Sequence, residues 1–213
     1  MSQIQNPALK NFAAQIGDEL VFAQVLIKRQ GNGHELRHIE DRETAAISLR
    51  AIKPEDARTL AQYTANGEFR PLKSAPNLQR GWRIVAVNDT ELEIALSRLY
   101  PGAVADWHAA QSPSPPVTHY REYTERQSGM YRITTMLTDA QVAQVVGEVC
   151  DVKHCLKRRF WSVPGLQPDA AENKSLIPCL EPCAVLMESA RKAVRADQKE
   201  KLAMTLAEEN KAG

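Results

Sequence analysis

Apolar residues are spaced in two different ways along this chain. In the first half they form short runs broken by glycine, proline and asparagine; in the second they recur at intervals of three and four. Leu20 to Lys28 (LVFAQVLIK) is rich in β-branched and aromatic residues and reads as a strand. The turn signal Gly31-Asn32-Gly33 and then HELRHIE follow it, so the pattern predicts a β-hairpin. Ile47 to Ile52 predicts a third strand and Arg83 to Val87 (RIVAV) another. Pro54-Glu55-Asp56 opens a short helix to about Tyr63, since proline and acidic groups both suit a first helical turn, and Asn66-Gly67 closes it. Asn88 or Asp89 caps a helix carrying Leu92, Ile94, Ala95, Leu96 and Leu99, and after Pro101-Gly102 a further helix covers Ala103 to Ala110.

Ser112-Pro113-Ser114-Pro115-Pro116 has the composition of a linker. Beyond it, Val142, Val145, Val146 and Val149 mark one buried helical face, introduced by a Thr138/Gln141 capping box and ending at Cys150. From Cys183 to Asn210 there is neither glycine nor proline, and Ala, Glu, Lys and Arg dominate, which predicts a long helix with polar last turns. The expected fold class is α+β: an N-terminal mixed α/β domain followed by a mostly helical domain that carries four cysteines. The expected boundaries are an N-terminal segment 1–17, the α+β domain 18–111, a Pro/Ser linker 112–120 and the helical domain 121–213.

All the cysteines of the chain lie in that last part: Cys150, Cys155, Cys179 and Cys183, spaced C-x4-C, a gap of 23 residues, then C-x3-C. Four thiolates that converge make a metal site. The pairs are wider than the C-x2-C of zinc knuckles and ribbons, and they match neither common ferredoxin spacing. A cuboidal iron–sulfur cluster, whose irons are spread over several ångströms, suits the wider pairs; a structural zinc ion remains the alternative. Lys153, Lys157, Arg158 and Arg159 around the first pair suit an anionic centre, and Phe160 and Trp161 can screen it from water. Pro182 suits the first turn of the last helix and would place Cys183 at its positive end.

Composition bounds the rest. The 213 residues are 43% hydrophobic and 25% charged, an ordinary globular balance, and the net charge of +1 gives no overall pull toward nucleic acid. No window approaches the roughly 20 apolar residues of a membrane span. Met1 to Ile16 is polar and lacks the apolar core of a signal peptide. The expected compartment is the cytoplasm, where thiols stay reduced and a group of four binds metal rather than pairing as disulfides.

Other candidates are weaker. His34 and His38 stand four apart, but on a strand they lie about 13 Å apart along one face, as exposed residues. His154 lies between two cluster cysteines; His108 and His119 show no partner in sequence. Arg70, Lys73, Arg80 and Arg83 with Trp82 offer an anion site or, more simply, a solvated basic loop. Glu122, Glu125, Arg126 and Arg132 read as a charged helix face. No phosphate-binding or dinucleotide glycine loop, nucleophile elbow or carboxylate pair is present to name a reaction.

Several stretches together resemble a known family. GMYRITTMLTDAQVAQVVGEVC, CLKRRFW and IPCLEPCAVLMESAR resemble the iron–sulfur module attached to large cobaltochelatases of the sirohydrochlorin type. AQVLIKRQGNGHELRH, EFRPLKSAPNLQRGW and LSRLYPGAVADW resemble the companion stabilising domain that precedes it, so the resemblance runs from about Leu20 to Ala193. It implies a [4Fe-4S] cluster, with Cys150, Cys155, Cys179 and Cys183 at the matching positions. In that family the chelatase is a separate, larger α/β domain with a histidine-based metal site, and 213 residues leave no room for it. The expected function is therefore electron transfer or redox sensing beside a chelatase or other tetrapyrrole-pathway protein, with an electron donor as a further partner. Two alternatives stand: a structural metal in a scaffold or interaction module, and metal insertion by the α+β half itself.

Overall fold

The computed structural model describes residues 6–62, 77–150, 155–169 and 176–212. They fall into two compact units. The first comprises residues up to Pro116 with Cys155–Arg158 and Asp169–Leu180; the second comprises Val117–His154, Arg159–Pro168 and the chain from Glu181 onward. The N-terminal part is mixed α/β and the C-terminal part mostly helical, as its apolar spacing implies.

The first unit is built on a five-stranded sheet whose strands run, in spatial order, Glu19–Phe22, Val25–Gln30, Gly33–His38, Trp82–Ala86 and Arg50–Ile52. Its strands are β1 (Glu19–Phe22), β2 (Val25–Gln30), β3 (Gly33–His38), β4 (Arg50–Ile52) and β7 (Trp82–Ala86); β5 (Ala61–Gln62) and β6 (Asn77–Leu78) form a separate short ladder. β4 pairs in parallel with β7, and the other sheet pairs are antiparallel. Ile27, Leu36, Ile84 and Ile52 align across β2, β3, β7 and β4 and therefore share a face. Trp82, Ile27, Leu36 and Ile84 are fully buried there. Helices α1 (Pro7–Gln15), α2 (Asp89–Leu99) and α3 (Ala103–Ala110) supply the other half of this core. In α2, Leu92, Ala95, Leu96 and Leu99 are buried at helical spacing, and the Asn88 side chain caps the helix by accepting from the Glu91 N–H at 3.0 Å. Phe12 of α1 meets Phe22 and Trp107 edge to face at 4.9 and 5.3 Å.

Four sequence expectations change here. The run Leu20–Lys28 is not one strand but two, β1 and β2, folded at Ala23–Gln24. Ala23 takes a left-handed φ of 54°, a conformation that no glycine or asparagine advertised. The turn is held instead by Gln24, whose N–H donates to Tyr100 Oη (3.2 Å) and whose Oε1 accepts from Leu78 N (2.9 Å). The polar-looking N-terminus forms α1, capped by Asn6 and started by Pro7. The helix expected from Pro54 to Tyr63 is a 3-10 helix ending at Leu60, because Ala61 and Gln62 pair with Leu78 and Asn77. The strand expected over Ile47–Ile52 begins only at Arg50, after a 3-10 turn. The helix stop at Asn66–Gly67, the basic residues Arg70 and Lys73, and Lys153 and His154 lie outside the described residues.

His34 and His38 are on β3, as expected, but they are buried, 4% and 2% exposed, rather than exposed. They pair with Ala86 and Val25 on the core face, while the segment after β3 covers the other side. There the Arg37 guanidinium donates to Glu35 and, at 3.1 and 2.7 Å, to the carbonyls of Asp41 and Thr44. Burial holds both histidines below their ordinary pKa of 6.5; Arg29 lowers His34 further and Arg80 lowers His38. Asp89 opposes the shift at His34, and Glu40 and Asp41 oppose it at His38. The unfolded chain therefore takes up protons first, so stability is level above about pH 6.5 and falls as the pH drops from there toward the folded values. Urea unfolding midpoints between pH 5 and 8 will show that slope, and a His34→Asn, His38→Asn double variant will flatten its upper part. A slope unchanged by the double variant would show that other groups carry it.

In the second unit, α4 (Tyr120–Glu125), a 3-10 helix (Gly129–Met136) and α5 (Asp139–Cys150) precede α6 (Ala184–Ala212). The Thr138/Gln141 box is formed: the Thr138 N–H donates to Gln141 Oε1 (2.9 Å) and the Gln141 N–H to Thr138 Oγ1 (3.3 Å). Val142, Val145 and Val146 are buried, and α6 packs against α5 and the 3-10 helix through a face with Leu186, Met187, Ala190 and Val194 buried. Past Val194 no described residue of α6 is buried. No helix among the described residues is long and apolar enough to cross a membrane.

Candidate metal centre

Each cysteine is presented by a different local structure. Cys150 is the last residue of α5. Cys183 stands at the start of α6, its carbonyl accepting the first helical bond from Met187 N at 3.0 Å. Pro182 therefore sits one step outside the helix and not in its first turn, while Cys183 keeps its place at the N-terminal end. Cys155 and Cys179 belong to the first unit, Cys150 and Cys183 to the second. All four are thiols of intermediate burial.

The segments bearing Cys155 and Cys179 are anchored in the first unit. The Arg158 N–H donates to the Ile177 carbonyl at 2.8 Å. Ile177 is fully buried in the same core as Trp82 and Phe12, and Leu156 packs against that core. Lys157 Nζ lies 3.0 Å from Asp106 Oδ2 of α3, with the lysine side chain only 11% exposed. In the second unit the Arg159 guanidinium lies 5.0 Å from the ring of the fully buried Trp161 and donates to the carbonyl of Gln167 at 2.7 Å. Lys157 and Arg159 are thus each engaged with protein partners.

No group of three or more His, Cys, Asp and Glu side chains among the described residues converges tightly enough to hold a metal ion. A tetrahedral zinc ion, with Zn–S bonds of about 2.3 Å, needs its sulfurs within roughly 4 Å of one another. An iron–sulfur cluster takes one thiolate per iron and accepts a wider spread. The chemistry of the donor set, four half-buried soft thiols, fits such a cluster.

Comparison with known proteins decides the family. Residues 7–111 match the DR2241 stabilising domain, and residues 112–192 match a 4Fe-4S iron-sulfur cluster binding domain that contains all four cysteines. The chain joins a DR2241-type stabilising domain to a 4Fe-4S cluster-binding domain. A crystal structure of DR2241 from Deinococcus radiodurans superposes with a TM-score of 0.74 at 27% identity, over 89% of this chain. That protein is described as multi-domain, with structural similarity to chelatases and two additional novel domains, and this chain spans 41% of its length. No curated protein matches the chain significantly.

Several of the remaining sequence candidates have partners within the protein. In the stabilising domain Arg80 pairs with Glu40, Arg83 lies 3.8 Å from Glu35, and Trp82 is a core residue. His108 Nε2 meets Asn11 Nδ2 at 3.0 Å. In the cluster-binding domain His119 Nδ1 accepts from Ser162 N at 3.1 Å, and Glu122 pairs with Arg126 along α4. Two groups near the cysteines were not foreseen. One is Asp106. The other is Tyr123, whose phenol is pushed up first by burial and then by the negative charge of Glu181 and Cys183.

Proposed function

We propose that Cys150, Cys155, Cys179 and Cys183 bind a [4Fe-4S] cluster used for electron transfer or redox sensing in association with a chelatase or other tetrapyrrole enzyme. The observation that carries this reading is the match of residues 112–192 to a cluster-binding family across all four cysteines. When bound, the cluster supplies one-electron exchange. The chain's own part is to hold four thiolates, to exclude water with buried side chains such as Trp161, and to set the surrounding charge. Likeness to a protein with structural similarity to chelatases supports a tetrapyrrole-pathway partner, and electron exchange requires a donor. Reduced thiols of this kind belong in the cytoplasm.

Metal insertion by this chain alone is the poorer reading. His34 and His38 are buried in the core, and His108 and His119 are hydrogen-bonded to Asn11 and Ser162. Anaerobic purification followed by iron, sulfide and zinc analysis and a visible spectrum tests the proposal. The expected result is a brown protein with about four irons per chain that dithionite bleaches. A colourless protein holding one zinc would overturn it, and a cluster that neither accepts nor gives an electron would leave the metal structural.

A further inference from the structure

We propose that Asp106, on helix α3 of the stabilising domain, is a positioning residue for the Cys155 thiolate and acts through Lys157. The inference rests on the reading of Cys155 as a cluster ligand. It assigns a ligand-shaping role to a residue 49 positions earlier in the chain and outside the cluster-binding match.

The three residues after Cys155 are each fixed, and each in a different way. Leu156 packs on the apolar core that Trp107, one residue along α3 from Asp106, also enters. Lys157 reaches Asp106 at 3.0 Å. Arg158 is tied through its backbone N–H to Ile177, two residues before Cys179. Of these anchors, the ion pair is the one that a single isosteric change can release without touching the core.

Burial makes the pair matter. Exposed ion pairs contribute little, because water screens them and two long side chains must be ordered. Here the Lys157 side chain is 11% exposed and Asp106 is 36% exposed, so the ammonium is mostly out of water and needs its carboxylate. Without Asp106, Lys157 must turn toward solvent, and that movement pulls on the backbone two residues from the Cys155 sulfur. A ligand thiol released from its place rebinds more slowly, and the bound metal becomes easier to remove. Outer groups that orient metal ligands typically change metal retention by about 10- to 100-fold when removed.

The test compares full-length wild type, Asp106→Asn, Lys157→Asp and the charge-swapped double variant. In cluster-loaded protein, Asp106→Asn is expected to speed cluster loss to a chelator about tenfold and to broaden the reduced cluster's EPR signal, with the swap restoring both. In metal-free protein, Asp106→Asn is expected to speed amide exchange at residues 155–158 and alkylation of Cys155, while amides of β3 and α2 exchange as in wild type. The metal-free readouts decide the role of Asp106 even if the wild type takes up no cluster, which would sink the functional reading separately. Unchanged exchange and alkylation in Asp106→Asn would overturn the proposal. A swap as defective as the single variants would also overturn it, because a plain counter-ion role for Lys157 cannot survive reversal of its charge.

Discussion

Cys155→Ser is expected to leave the protein colourless after anaerobic reconstitution, with bound iron falling from about four per chain to near zero. A serine oxygen is a hard, weakly acidic donor and does not replace a thiolate on iron. Cys155 is only half-buried, so the substitution removes one sulfur without opening a large cavity. The stabilising domain should keep its far-ultraviolet spectrum and unfolding midpoint, since Leu156, Lys157 and Arg158 retain their anchors. Iron and sulfide analysis beside circular dichroism separates the two effects. A serine variant that still holds four irons would remove Cys155 from the ligand set.

Trp82→Ala is expected to do the opposite, damaging the fold first. Trp82 is fully buried at the start of β7, and its indole N–H donates to the Gln79 carbonyl at 2.6 Å. Truncation of a buried tryptophan costs about 3–5 kcal/mol, and the carbonyl left without its donor adds about 1 kcal/mol. Against a typical domain stability of about 5–15 kcal/mol, that is a large share. Thermal unfolding should begin about 15 °C or more below wild type. Trp82→Phe, which refills most of the space but lacks the N–H, should fall between the two. A midpoint within about 5 °C of wild type for the alanine variant would mean that the core collapses around the vacancy better than its close packing implies.

What sequence reasoning reached, and what it missed, follows from the range of the interactions involved. Local chemistry was legible. The Asn88 cap of α2, the Thr138/Gln141 box of α5 and the glycine-rich turn before β3 all act within a few residues of themselves. The four cysteines stood out because a thiol quartet has few other uses, and the order of the motif stretches pointed to the family. Interactions across long separations were not legible. The turn at Ala23 is held by Tyr100 and Leu78 rather than by its own residues. His34 and His38 share the core face of β3 with Leu36, and the segment after β3 buries Glu35 and Arg37 on the other face, so both faces of a polar-looking strand are covered, which its sequence cannot announce. Gly33 read as a turn residue, yet its lack of a side chain also serves packing: a Cβ there would lie 2.2 Å from the Ala86 carbonyl oxygen. The pairing of Lys157 with Asp106 was likewise not legible, because the two lie 51 residues apart.

The described residues 155–158, 169 and 176–180 fold with the first compact unit although they lie inside the cluster-binding match. A cut where the two family matches meet, between residues 111 and 112, therefore does not part the chain into its two compact units. A gene fragment cut there would carry every cysteine and yet leave Leu156 and Ile177 without the apolar surface they cover. Recombination at that point is therefore expected to yield proteins with exposed cores.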